Sequence, residues 1–111
     1  MRESEFQAQL ITKLRSLFED CIILKNDPTY LQGVPDLLIL FRNKWAALET
    51  KRSSRSTRRP NQQYYIVLMN EMSYAAFVCP ENEEDVLDDL QQTFRPARST
   101  RFSKRKQVSL D

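Results

Sequence analysis

The fold is decided by residues 33–51, which read GVPDLLILFRNKWAALETK. Two apolar runs of strand length flank a short polar segment at residues 42–44, and this pattern predicts a β-hairpin. Asp36 stands directly before the first apolar run, and Glu49 stands near the end of the second. Acidic side chains are costly to bury at strand positions that should be apolar, so these two acids are candidates for a catalytic or metal-binding role.

The register of the hairpin decides whether the two acids meet. Side chains alternate faces along a strand, so Glu49 and Lys51 share one face. A turn at residues 43–44 makes Asp36 and Glu49 diagonal neighbours, roughly 7–8 Å apart at the backbone. A turn at residues 42–43 makes them direct partners, and in both cases the carboxylates can share one cation. Only a third, even-sum register puts the two acids on opposite faces.

The pattern Gly-x-Pro-Asp at the start of one strand, with Glu-x-Lys at the end of the next, resembles the core of PD-(D/E)xK nucleases. The chain looks most like their small stand-alone branch, the virus-type replication-repair (VRR-NUC) nucleases and Holliday junction resolvase-like proteins of phages. The resemblance covers about residues 5–79. It implies a restriction-endonuclease-like α/β sandwich, with a mixed four-stranded β-sheet flanked by helices in the order αβββαβ plus a C-terminal helix. The alternative is an exposed hairpin whose acids and lysine are merely solvated.

The resemblance also implies an activity, namely metal-dependent endonucleolytic hydrolysis of phosphodiester bonds in DNA. Asp36 and Glu49 are then expected to ligate Mg²⁺, or Mn²⁺ as its substitute, together with the backbone carbonyl of Thr50. Lys51 is expected to orient or deprotonate the attacking water. The expected substrate is branched DNA, such as a junction or flap in phage-type replication, recombination or repair. A homodimer without a small-molecule cofactor is expected to cut it.

Two further positions complete the site that the resemblance implies. In the family an acid on the first helix helps to fill the metal shell; Glu5 matches that place, and Glu3 is the weaker substitute. A glutamate favoured by the helix dipole is the other interpretation of Glu5, and the choice between one and two metal ions stays open. In the family, a glutamine in the first turn of the second helix can hold the catalytic lysine or the scissile phosphate through its amide. Gln62 fits this role best, and Gln63 is the alternative.

The composition limits the chemistry independently. The 111 residues include no histidine, which excludes imidazole bases, histidine-ligated metals and Ser or Cys triads. Any metal site must therefore use carboxylates, whose oxygen atoms favour Mg²⁺ or Mn²⁺. Cys21 and Cys79 lack metal-site spacing, so we expect reduced core thiols in a cytoplasmic protein, or in the host cytoplasm if a phage encodes it. No apolar run approaches the ~20 residues of a membrane span, so no membrane contact is expected.

Basic residues are concentrated in two acid-free segments, although the formal net charge is only +2. This layout is typical of proteins that bind polyanions. The first segment is residues 51–59. Within it, residues 52–59 are predicted to be a loop that binds phosphates, and a merely solvated loop is the alternative. The residues predicted to contact nucleic acid are Gly33, Arg52, Arg55, Arg58, Arg59, Arg98 and Arg101.

The second basic segment defines the predicted domain organisation. We expect a nuclease domain over residues 1–94 and a basic tail over residues 95–111. The tail contains a proline and lacks periodicity, so it is predicted to be disordered when free and to lie along nucleic acid when bound. A phosphorylation target or a simple solubility tail are the alternatives.

Apolar periodicity predicts the first elements. Residues 1–20 form an amphipathic helix, with a capping-box pattern at Ser4 and Gln7. Residues 21–26 are predicted to be a buried strand. In the loop that follows, Asp27 is either an outer-shell acid or, as is usual before proline, a turn former. Gly33, the only glycine, predicts a positive φ or a close approach to substrate.

The C-terminal half is predicted to contain two more helices around a strand at residues 74–79. The second helix begins at Pro60. Its predicted inward face consists of Tyr64, Tyr65, Leu68 and Met72. The third helix is predicted to bury Val86, Leu87, Leu90 and Phe94. Its other face is predicted to be a solvated acidic surface made of Glu81, Glu83, Glu84, Asp85, Asp88 and Asp89.

Two functions from other classes stay open. A non-catalytic nucleic-acid-binding module could keep this fold, but it has no evident reason to retain buried charges that are costly to keep. A phage protein that binds a host protein through its acidic third helix is the other alternative. Charge reversal on that helix would then abolish function, whereas Glu49→Ala would not.

Overall fold

The computed structural model describes residues 1–96, which form three helices and one four-stranded sheet. The elements are α1 (Glu3–Leu17), β1 (Ile22–Lys25), β2 (Leu37–Phe41), β3 (Lys44–Thr50), α2 (Pro60–Met72), β4 (Tyr74–Val78) and α3 (Glu83–Thr93). This order confirms the predicted α/β class and the αβββαβ arrangement with a C-terminal helix. The predicted basic tail lies outside the described residues from position 97 onward.

The sheet is mixed, with the strand order β1-β2-β3-β4. The first three strands are antiparallel to one another, and α2 connects the parallel pair β3 and β4. In the β2–β3 hairpin Phe41 pairs with Lys44, so the turn lies at residues 42–43. The alternative turn at residues 43–44 is therefore wrong. Arg42 has a φ of +58°, the left-handed conformation that tight hairpin turns of two residues require.

The core lies on one face of the sheet, where α1 and α3 pack together. The rings of Phe18, Phe41 and Phe94 meet there with centroids 5.0–5.5 Å apart. The opposite face carries α2, which packs on β3 and β4. The buried cluster comprises Phe6, Leu10, Leu14, Phe18, Leu37, Ile39, Ala46, Leu48, Val78, Val86, Leu90 and Phe94.

The prediction that the first strand is buried is wrong. Ile23 packs against the core, but Ile22 and Leu24 alternate to the other face and are exposed. The physical reason is the position of β1 at the edge of the sheet. On the face to which Ile22 and Leu24 point, α2 packs over β3 and β4, away from β1.

Two helix predictions also need correction. The capping box at Ser4 and Gln7 does not form, because α1 has Arg2 as its N-cap and no side chain caps it. In α2 the inward face is rotated from the prediction: Tyr64 and Met72 are exposed. The half-buried positions of α2 are Gln62, Tyr65, Ile66, Leu68 and Met69.

The third helix buries the predicted side chains, but its acidic face is not simply solvated. Glu83 accepts a 2.6 Å hydrogen bond from the Lys13 ammonium, an ion pair that joins α3 to α1. Asp89 accepts a 2.8 Å hydrogen bond from the Tyr74 hydroxyl. These two acids therefore help to hold α3 in place. Glu81 also accepts hydrogen bonds, from Ser54, so the solvated acidic surface is reduced to Glu84, Asp85 and Asp88.

Cys21 and Cys79 are the two residues predicted to be reduced core thiols. Cys79 is buried and Cys21 is half-buried, and neither is in a disulfide bond.

Within residues 1–96 no helix is both long and apolar enough to cross a membrane.

Candidate active site

The sheet brings the two acids of the hairpin together. Asp36 lies directly before β2, and Glu49 lies near the end of β3. Because Leu37 pairs with Leu48, the next position of the same register sets Asp36 opposite Glu49. The arrangement is the closer of the two that the sequence allowed. Lys51 follows at the end of β3, where its backbone N–H donates a 2.8 Å hydrogen bond to the Val78 carbonyl.

Asp36 is held by three hydrogen bonds. Its Oδ1 accepts one from the Thr50 backbone N–H at 3.0 Å, and its Oδ2 accepts one from the Thr50 hydroxyl. The side-chain amide of Gln7 donates a third, 2.8 Å long, to Oδ2. Burial raises the pKa of Asp36; the Thr50 hydrogen bonds oppose this rise, and the charge of Glu3 adds to it. The hydrogen bonds thus fix the position of the Asp36 carboxylate, but its burial still disfavours the ionised form.

Glu49 is the more strongly perturbed acid. Its side chain is 8% exposed, and burial together with the charge of Asp36 raises its pKa to about 7. The Lys51 ammonium lowers that pKa without offsetting the rise. Glu49 therefore exchanges its proton near neutral pH, where an unperturbed glutamate is fully ionised.

Gln62 connects the glutamate to the lysine. Its amide N–H donates to Glu49 Oε2 at 3.2 Å, while its Oε1 accepts a 2.9 Å hydrogen bond from Lys51 Nζ. The Arg59 backbone N–H also donates to Oε1, at 3.1 Å, which fixes the amide at the start of α2. Gln63 instead donates to a backbone carbonyl in the preceding loop. The structure thus brings Gln62, and not its alternative, to the lysine.

The first helix contributes different residues from those expected. Glu5 is exposed and forms an ion pair with Arg2, with Oε1 and Nε 3.7 Å apart. The acid whose charge acts on the site is Glu3, because it raises the pKa of both Asp36 and Glu49. A helix turns about 100° per residue, so Glu5 lies on the other side of α1 from Glu3.

Gln7 is a site residue that the sequence analysis did not select. Besides its bond to Asp36, its amide donates a 3.2 Å hydrogen bond to the Thr50 hydroxyl. Gln7 lies one helical turn after Glu3 and next to buried Phe6. A polar, uncharged side chain at the margin of an apolar stripe was the available signal.

A cleft of ≈ 570 Å³ opens beside the two carboxylates. Gly33 forms part of its wall with a φ of +91°, which confirms the predicted positive φ. A Cβ on this glycine would lie 2.8 Å from Asn61 Cβ, so the close approach is to α2. Further lining residues come from the loop before β2 and from the start of α2: Asn26, Pro28, Thr29, Gln32, Val34, Arg59 and Gln62.

Asp27 acts as a turn former at the edge of this cleft. Its Oδ1 accepts hydrogen bonds from the Thr29 backbone N–H at 2.9 Å and from the Thr29 hydroxyl at 2.7 Å. This is the turn chemistry expected of an acid before proline, and it lowers the pKa of Asp27.

The basic loop after Lys51 is ordered by its own serines and by Glu81. The Ser56 backbone N–H donates to the Ser53 carbonyl, and Ser54 donates twice to Glu81 at 3.1 Å. The Arg58 guanidinium lies over the Phe77 ring, 4.4 Å from its centroid. All four arginines of the loop are exposed: Arg52, Arg55, Arg58 and Arg59. Arg98 and Arg101 lie outside the described residues.

Asp36 and Glu49 fit a hard divalent cation. Glu49 is buried and Asp36 is half-buried. Burial and the charge of Asp36 raise the pKa of Glu49, and a cation between the two carboxylates would relieve their repulsion. Residues 1–96 contain no cluster of three or more His, Cys, Asp or Glu side chains arranged for a metal. A metal here would thus need backbone carbonyl and water ligands as well, which suits Mg²⁺. Ligation by the carbonyl of Thr50 stays a prediction.

Comparisons of the chain with protein-family models, with curated proteins and with solved structures find no match.

Proposed function

We propose that this protein is a metal-dependent endonuclease that hydrolyses phosphodiester bonds in DNA. The observation that carries the proposal is the meeting of Asp36, Glu49 and Lys51 at one end of the sheet, with Gln62 bonded to both the glutamate and the lysine. A buried glutamate and a half-buried aspartate next to a lysine are costly for stability, and this cost favours catalysis over a purely structural role.

The metal in this proposal is Mg²⁺ or Mn²⁺. Asp36, Glu49 and the Thr50 carbonyl would hold it, and when bound it polarises a phosphate oxygen and makes water more acidic. Among the described hydrogen bonds only one reaches Asp36 Oδ1, which leaves that oxygen a lone pair for a cation. Glu49 must give up its proton before it can act as a ligand.

Lys51 supplies the positive charge of the reaction. Its side chain is held by the Gln62 carbonyl. As an ammonium it would orient the attacking water, and only as the neutral amine could it take a proton from that water. The ammonium also offsets the negative charge that develops on the phosphate oxygens in the transition state. Because the Gln62 amide hydrogen-bonds to both groups, it separates the Lys51 ammonium from the Glu49 carboxylate.

The cleft and the basic loop are the proposed DNA-binding surface. Arg59 lines the cleft, and exposed Arg52 and Arg55 follow the catalytic strand directly. Arginine side chains at such positions bind phosphates without reading sequence. We therefore propose a structure-specific preference, for junctions or flaps. The family resemblance adds the expectation of a homodimer whose two sites cut symmetrically related strands.

Cleavage of labelled DNA tests the proposal. Four-way junction, flap and linear duplex DNA are incubated with the wild-type protein in Mg²⁺, Mn²⁺ or EDTA. Glu49→Gln serves as the site variant, and Glu84→Gln, an exposed acid on α3, is the matched control. We expect metal-dependent cutting that is lost in Glu49→Gln and kept in Glu84→Gln. Tight binding without cutting of any substrate would contradict the proposal and favour a binding module.

A further inference from the structure

The loop between β1 and β2, several of whose residues line the cleft, also carries an exposed aromatic side chain. Tyr30 is 89% exposed and its neighbour Leu31 is 45% exposed. A single exposed apolar side chain is ordinary on a protein surface. This one is unusual in its position, because the residues on both sides of the pair line the cleft beside Asp36.

The loop holds Tyr30 in place at both ends. On one side Asp27 accepts hydrogen bonds from the backbone N–H groups of Thr29 and Tyr30, at 2.9 and 3.2 Å. On the other side Gly33 is wedged against Asn61 of α2. The backbone that carries the Tyr30 ring is therefore held by a hydrogen-bonded turn, which lowers the backbone entropy that a ligand contact must overcome.

The neighbouring groups point to nucleic acid as the ligand. The same cleft contains the two carboxylates of the proposed metal site and Arg59, a phosphate-binding side chain. Aromatic side chains stack on bases whatever the sequence, because every base has a π-face. A base inside a duplex already has both faces covered, whereas a base at a branch or in a single strand has one free.

We propose that Tyr30 stacks on an unpaired nucleobase close to the scissile phosphate, and so selects DNA in which a base is already unstacked. The inference rests on the proposed nuclease function and names the feature that its site recognises. Leu31 extends the apolar surface of the contact. Tyr30 and Asp36 are six positions apart in the sequence, which is at most about 22 Å of extended chain. The stacked base thus lies within about six nucleotides of the cut, at about 3.4 Å each.

Binding measurements in the Glu49→Gln background test the stacking without cleavage. Flap and linear duplex DNA carry 2-aminopurine at single positions on either side of the expected cut. Tyr30→Ala is compared with Tyr30→Phe and with Tyr64→Ala, a control tyrosine on α2 that is 61% exposed and does not line the cleft. Because these side chains are exposed, the variants are expected to fold normally, which circular dichroism and melting verify.

We expect Tyr30→Ala to weaken flap binding about tenfold or more, to leave duplex binding unchanged and to abolish the fluorescence change at one position. Tyr30→Phe and Tyr64→Ala should behave as the parent protein. Equal binding by all variants, or an equal loss on flap and duplex, would overturn the stacking; the first result would make a protein partner the better occupant of this loop.

A cleavage experiment separates this inference from the proposed function. Wild-type protein that cuts DNA with Mg²⁺, beside a Tyr30→Ala variant with the same preference for flap over duplex, would overturn the stacking alone. Wild-type protein that never cuts would overturn the proposed function, while the binding experiment would still decide the role of Tyr30.

Discussion

Glu49 is a buried acid whose surroundings disfavour its charged form. Burial and the charge of Asp36 raise its pKa from 4.5 in the unfolded chain to about 7 in the folded one. An acid with a raised folded pKa binds its proton more tightly in the folded state. Its contribution to stability is therefore greatest in acid and is lost as the pH rises from about 4.5 to about 7. In the metal-free protein, ionised Glu49 opposes folding at neutral pH.

Glu49→Gln is expected to stabilise the metal-free protein at alkaline pH. An amide of similar shape removes the buried charge, so the melting temperature should rise by about 5 °C or more near pH 8, and by less near pH 5. Scanning fluorimetry in EDTA at both pH values measures the difference. The control Glu84→Gln, on an exposed surface, should change little at either pH. A melting temperature that falls in Glu49→Gln near pH 8 would contradict the assignment of a strained anion.

Lys51 tests the catalytic half of the site. Because its ammonium bonds to Gln62 and to no carboxylate in the described structure, Lys51→Ala should keep the two acids available for Mn²⁺. Turnover should fall at least about a hundredfold, since a charge that acts in the transition state is lost. Titration with Mn²⁺ and cleavage of labelled DNA measure the two effects separately. Lys25→Ala, an exposed lysine on β1, is the control, and a wild-type rate in Lys51→Ala would rule out the role.

At the scale of elements, the hairpin shows what the sequence determines. The apolar runs of β2 and β3 predict two strands, and alternation predicts that Asp36 and Glu49 share a face. The turns at residues 42–43 and 43–44 both satisfy these constraints. Their registers differ by two residues, and because side chains alternate with a period of two, every side chain stays on the same face. The choice depends on the backbone of Arg42, whose positive φ no pattern of apolar residues reveals.

The exposed strand and the first helix show what the sequence leaves out. The run Ile22-Ile23-Leu24 is apolar throughout, so its alternation is hidden, and its exposure follows from where α2 packs. On α1 both Glu3 and Glu5 flank the apolar stripe that begins at Phe6. Which flank faces the end of the sheet is set by how the helix docks, a tertiary property that periodicity does not contain.

Gln7 provides a prediction for the α1 element. Its amide orients Asp36 through a 2.8 Å hydrogen bond, and partners of metal-ligating carboxylates typically contribute 10–100-fold to affinity or activity, so an effect of about tenfold is expected. Gln7→Ala should therefore weaken Mn²⁺ binding by about that factor in calorimetric titration. Gln9→Ala changes the same residue type on the exposed side of α1 and should have no effect. Equal Mn²⁺ affinities in the two variants would show that α1 does not support the site.

At the scale of the whole molecule, the charge of the chain is divided unevenly. Residues 1–96 carry 12 basic and 14 acidic side chains, a formal charge of −2, while residues 97–111 carry five basic and one acidic, a charge of +4. The described domain has a strongly basic loop beside its cleft, but its net charge repels DNA at long range. Overall attraction to a polyanion must then come largely from the C-terminal segment.

Removal of residues 97–111 is therefore expected to weaken DNA binding and to flatten its salt dependence. Each phosphate contact contributes about 0.9 to the slope of log K against log salt concentration, so the loss of five cations should reduce the slope by up to about four to five. Fluorescence anisotropy over a salt series measures it. A full-length variant with all five basic residues changed to Gln separates charge from length and should match the truncation. Cutting at low salt should persist in both, because Asp36, Glu49 and Lys51 are intact. A slope that stays the same in both variants would assign DNA attraction to the loop at residues 51–59 alone.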